Sequence, residues 1–214
     1  MNDTVIRNAV DYIRELFRNE YSGHDASHTM RVYRTALRLA REEGADEFTV
    51  SLAALLHDAD DAKLSPETTG ELKRARDFMR SQGVDGATEE AVCLIIREVS
   101  FKGSDSAKPS TIEGMCVQDA DRLDAIGAIG IGRAFAYGGS RGRPMYDPDI
   151  KPRPDMNAEE YRLSRSTTLN HFYEKLFLLK DMMNTKSARA AAERRESYMR
   201  GFVEEFLSEW EGKA

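Results

Sequence analysis

From the first helix-sized window to the last, apolar side chains recur at helical spacing, and no stretch alternates convincingly as a half-buried strand would. Asp3 stands where it would cap a first helix, with Ile6, Ile13, Leu16 and Phe17 on one stripe. Asp25 is placed as N-cap of a second helix that runs to about Glu43 and is ended by Gly44. Asp46 caps a third, which carries Leu52, Leu55 and Leu56 up to His57-Asp58. Ser65-Pro66 is a suitable start for another, closed near Gly83, and residues 86–99 form the next. From Pro109 one long helix is expected through "TIEGMCVQDADRLDAIGAIGIGRAFAYGG", its glycines 127, 130 and 132 suiting close approach to a neighbour. Segments 159–184 and 186–211 are again amphipathic. The pattern predicts an all-α fold.

A chain of 214 residues is enough for one domain with a sizeable core, so a single domain over residues 1–214 is expected. The net charge of −6 offers no global basic field to nucleic acid or to an anionic membrane. An anionic substrate would have to be met by local cations or a metal. Cys93 and Cys116 sit in apolar-periodic segments and read as buried free thiols of a reducing compartment. The start "MNDTVIRNAV" lacks the basic and apolar regions of a signal peptide, and no apolar run approaches the roughly 18 residues of a membrane span, so a cytoplasmic location is expected. Residues 138–157, "GGSRGRPMYDPDIKPRPDMN", are rich in Gly, Pro and Arg and long for a connection. They read either as a functional lid or as a disordered loop.

Chemistry concentrates at few positions. Of the four histidines, His28 follows the cap of one helix and His57-Asp58 ends the next. Antiparallel packing of these neighbours would bring His28, His57 and Asp58 to a common point, a donor set that suits a divalent transition metal. A further carboxylate is needed, and "QDADRLDAIG" offers Asp119, Asp121 and Asp124 within an apolar helix.

The ordered segments "GHDASHTMRV", "AALLHDADD" and "QDADRLDAIG" resemble the HD-domain superfamily of metal-dependent phosphohydrolases. The runs "LDAIGAIGIGRAF" and "NHFYEKL" resemble its small bacterial members. The resemblance implies a single-domain HD-type helical bundle, with the metal-site core at about 22–125 and C-terminal helices at about 159–211. It also implies His28, His57, Asp58 and Asp121 as metal ligands. Two imidazoles and two carboxylates would balance one divalent ion, Mn²⁺ by first preference, with Fe²⁺, Co²⁺ or Ni²⁺ as alternatives. With no histidine between His57 and Asp121, one metal is the expected count.

Around that set, Asp61 lies one turn beyond His57 if helicity continues. It matches an acid the family carries for orienting water or protonating a leaving group, beside Asp58 as the other catalytic expectation. Lys63 and His24 are expected to meet substrate phosphate, as are Arg141 and Arg143 of the loop and the pair His171 and Lys175 on one helical face. Arg31 and Arg122 have no role that the sequence assigns. The resemblance implies hydrolysis of a small phosphorylated molecule, a nucleoside triphosphate cut to monophosphate and pyrophosphate. A 5′-nucleotidase-like phosphomonoesterase and a non-catalytic metal- or nucleotide-sensing module are the alternatives. A nucleic-acid partner is not expected, because "ARAAAERRESYMR" reads as a solvated helix face; the oligomeric state is left open.

Overall fold

A computed structural model of the chain describes residues 2–18, 25–61, 70–99, 108–153 and 166–213, and every regular element among them is helical. The described chain divides into two compact units, one of residues 2–99 with 108–121 and one of residues 122–213.

The first unit opens with α1 (Asn2–Leu16), which buries Val5, Ala9 and Ile13 on one face. Asp3 lies inside its first turn, where its charge suits the helix dipole, and not at the cap position expected for it. Helix α2 (Ala26–Glu43) starts at Asp25, whose carboxylate accepts the backbone N–H of His28, and stops at Gly44 with φ +73°. Asp46 in turn accepts the N–H of Thr49 at 2.7 Å and begins α3 (Glu47–Leu56). Every α3 residue from Val50 to Leu56 is buried, which explains an apolar sequence with no polar stripe. Its neighbours are α1, α2 and α5 (Gly86–Val99), with α4 (Lys73–Ser81) packed on α5. Leu72, the residue before α4, has φ +52°, so a helix begun at Ser65-Pro66 could not pass unbroken into α4. Ser65-Pro66 itself lies outside the described residues.

The single long helix expected after Pro109 is two helices. α6 (Ile112–Asp124) ends, Ala125 and Ile126 turn, and α7 (Gly127–Ser140) begins. Gly127 takes φ +79° with the Arg195 side chain against it, and a Cβ on Gly130 would run into the Ala125 carbonyl. These glycines therefore serve the break itself. Gly132 has nothing within contact distance of an added Cβ and is not explained by packing.

In the second unit, residues 159–165 of the helix expected over 159–184 lie outside the described residues, and the remainder is instead the short α8 (Asn170–Glu174) followed by a 3₁₀ segment, Leu176–Met182. The long α9 (Lys186–Trp210), capped by Thr185, packs on α7 and on the 3₁₀ segment. Phe135, Phe172 and Phe202 form its aromatic centre, with ring centroids 5.9–6.2 Å apart. Cys93 and Cys116 are buried free thiols, and among the described residues no helix is long and apolar enough to cross a membrane.

Candidate metal centre

Local rules place each donor. The Asp25 cap fixes the first turn of α2 by accepting the His28 N–H at 2.7 Å, and His28 is 1% exposed. Because α2 and α3 pack across the short Gly44–Asp46 connection, the start of one helix meets the end of the other. His57 is the C-terminal cap of α3, and the turn after it is closed by Ala59 N–H to the Leu56 carbonyl and Asp61 N–H to the Asp58 carbonyl, both at 3.1 Å. This turn presents the Asp58 carboxylate toward both imidazoles. Its Oδ2 is 3.5 Å from His28 Nε2 and 3.3 Å from His57 Nε2. The two rings stand 5.5 Å apart, edge to face.

Donor atoms of His28, His57 and Asp58 all lie within 4.8 Å of one another. Asp121, on α6, brings Oδ1 to 3.4 Å from His28 Nε2 and is the most exposed member, its side chain 30% accessible. The neighbouring acids are used differently. Asp124 pairs with Arg133 at 2.6 Å, and Asp119 is fully buried.

The chemistry of this set fits a divalent ion. His57 Nδ1 lies 2.8 Å from the Ala54 carbonyl, which fixes the proton on that nitrogen and leaves Nε2 as the donor. His57 Nε2 is buried with no hydrogen-bond partner of good geometry among the described residues, an arrangement that costs free energy unless something binds there. Burial alone would push the His57 imidazole down. The Asp58 carboxylate, and after it Asp121 and the Ala54 carbonyl, hold it up to about 9. A divalent cation answers the same two carboxylates without a proton.

The HD domain profile matches residues 25–126, which contain all four of these donors. A Bacillus subtilis protein of uncharacterized function, YpgQ, is 38% identical over 90% of this chain and 87% of its own length. The chain belongs to the HD-domain family. The crystal structure of an HD-superfamily hydrolase from Bacillus thuringiensis is 40% identical, covers 99% of each chain and superposes with a TM-score of 0.81. A crystal structure of B. subtilis YpgQ in complex with ADP gives 35% identity and a TM-score of 0.76, covering 96% of this chain and 100% of that one.

Past the His57-Asp58 dyad of this HD chain, the α-helix does not continue. Asp61 sits half-buried in irregular chain after a tight turn, so the one-turn spacing expected to aim it at the donors does not apply. His24 and Lys63 lie outside the described residues. Asp60, to which the sequence assigned nothing, is 3% exposed and accepts two backbone N–H groups of α4.

The remaining expected substrate residues belong to the second unit. Arg141 ends α7, and the Arg141 and Arg143 guanidinium groups lie 5.4 and 5.9 Å from the centre of the Tyr137 ring. Half-buried His171 is pushed down to about 3, first by burial and then by the charges of Lys175 and Arg143, which places these three side chains within electrostatic reach of one another. The loop expected over 138–157 begins later, since α7 extends through Ser140. Its described part is tied down. Thr168 and Leu169 donate to the carbonyls of Pro144 and Met145, Asn170 Nδ2 to that of Ile150, and Arg153 N–H to Glu174.

Proposed function

We propose that this chain is a metal-dependent phosphohydrolase acting on nucleotides, cutting a nucleoside triphosphate to monophosphate and pyrophosphate. The observation that carries the reading is the convergence of His28, His57, Asp58 and Asp121 in one buried place open at the Asp121 side. These four residues would hold one divalent ion, Mn²⁺ by preference, since mixed imidazole and carboxylate donors suit a first-row transition ion better than Mg²⁺. Such an ion supplies Lewis acidity toward phosphoryl oxygen and water. The protein's own part is to keep His57 in the Nδ1–H tautomer through Ala54, to set Asp58 between the two imidazoles, and to keep the donors in an apolar wall. Nucleotides are favoured because a relative of this length and fold, YpgQ, has been crystallised with ADP.

The test is a screen of metal-stripped protein, reloaded with single divalent ions, against nucleoside mono-, di- and triphosphates, with phosphate and pyrophosphate measured separately. Pyrophosphate release from triphosphates with Mn²⁺ is the expected result. Phosphate release from monophosphates would replace this reading by a phosphomonoesterase, and metal binding without turnover by a sensing module.

A further inference from the structure

In "HDADD" the first two residues face the metal centre, while the fourth turns the other way. Asp60 Oδ1 accepts the N–H of Arg74 at 3.1 Å, and Oδ2 accepts the N–H of Ala75 at 3.0 Å. Those amides are the second and third of α4, the ones an N-cap side chain ordinarily satisfies. The local cap position is held by Leu72, which has no oxygen to offer and makes no side-chain capping bond. A carboxylate from 14 residues upstream does that work. The link also runs in reverse, since the Arg74 guanidinium donates to the Ala59 carbonyl at 3.5 Å. The turn that carries Asp58 is thus fastened through its next two residues to the first turn of α4.

The geometry points to Asp60 as a positioning residue for the metal-ligand turn, rather than as a cap that serves α4 alone. The turn around Asp58 is closed by single 3₁₀-type bonds, and α3 stops at Leu56. A carboxylate can accept both amides at once, and the charge favours the helix N-terminus. Loss of this anchor frees the Ala59–Asp60 backbone and lets the Asp58 carboxylate move relative to His28 and His57. This inference rests on the four-donor reading of the metal centre.

The experiment is calorimetric titration of metal-stripped protein with Mn²⁺ alone, comparing wild type, Asp60→Ala, Asp60→Asn and Glu89→Gln. Glu89 sits in a buried ion pair in the same unit, and its variant controls for lost stability without touching the turn. Asp60→Ala should weaken Mn²⁺ binding by about tenfold or more, the usual scale for groups that orient metal ligands. Asp60→Asn, which keeps one acceptor, should lose less in the same direction, and Glu89→Gln should bind as wild type does. Should Asp60→Ala fail to fold, Asp60→Asn decides alone. Wild-type affinity in the folded Asp60 variants, or equal weakening in Glu89→Gln, overturns the positioning role. Absence of Mn²⁺ binding by the wild type would instead remove the metal reading on which the role depends.

Discussion

Glu89 and Asp58 are both carboxylates buried in the first unit, and their partners differ in kind. Glu89 lies between two guanidinium groups, with Arg76 Nη1 at 2.5 Å and Arg80 Nη2 at 2.8 Å. Asp58 lies between two imidazoles, at 3.3 and 3.5 Å. A guanidinium keeps its proton at any pH a protein meets, so its pairing with Glu89 lasts as long as the carboxylate is ionised. An imidazole is a cation only while protonated, and it gives up that proton to bind a metal. On the proposed metal reading, the difference separates an acid buried for stability from one buried for exchange. The presence of a partner does not tell them apart; the partner's capacity to leave does.

The largest effect should fall on the exchangeable side. His57→Ala and Asp58→Ala should each abolish stoichiometric metal and turnover while the far-ultraviolet circular dichroism keeps its helical form, because the helices that flank the donors are packed by other residues. Asp121→Asn should do the same to turnover, whereas Asp119→Asn retains most of it, since Asp121 stands beside His28. Elemental analysis and steady-state assays check this. Full metal in both dyad variants, or equal loss in both aspartate variants, would break the comparison on its functional side.

The structural side should respond to acid. Hydrogen bonds from Arg80, and after burial's opposing effect those from Arg76, hold the Glu89 carboxyl below its ordinary 4.5. A carboxyl depressed in the folded state contributes stability that is present above that ordinary value and lost as pH falls through the folded one. Glu89→Gln should therefore lower the thermal midpoint at pH 7 by roughly 2–4 °C, a modest step for a chain of this length. The gap from wild type should shrink below pH 4.5, with metal affinity unchanged. Calorimetric melts from pH 3 to 7 measure it; a gap that stays constant across that range would show that Glu89 acts through shape and not charge.

What could be read from the sequence divides along the same line as local and distant contacts. The Asp25 and Asp46 caps each act three residues away, on His28 and Thr49, and such spacing is written in the chain. The meeting of His28 with His57 was also legible, because a short connection between two capped helices leaves few ways to pack them. Asp60 was not, since its amides lie 14 and 15 residues on and nothing local announces them. The break after Asp124 escaped for a related reason. Helical spacing persists across it, while the chain turns at Ala125 and Ile126 into the positive φ of Gly127 against Arg195. The HD resemblance supplied the choice of Asp121 over its neighbours, which spacing alone left open.

The smallest expected effect concerns the cations of the second unit. Arg141 is exposed and Arg143 half-buried, both beside Tyr137. Burial, and after it the charges of Lys175 and Arg143, hold the His171 pKa low, so this imidazole is neutral at pH 7. A triphosphate carries more charge than one divalent ion offsets, and a monophosphate does not. Replacing Arg141 and Arg143 together by alanine should then raise KM for triphosphates by about tenfold, the worth of one charge-assisted hydrogen bond of about 1.4 kcal/mol. KM for monophosphates should move far less, and metal content not at all. The described part of the loop is pinned to residues 168–174, so the effect should come from the charge of the two arginines and not from a swinging lid. Viscosity-independent turnover in wild type and variant would agree with that. Equal KM values on every nucleotide would leave the two arginines as partners of Tyr137 alone.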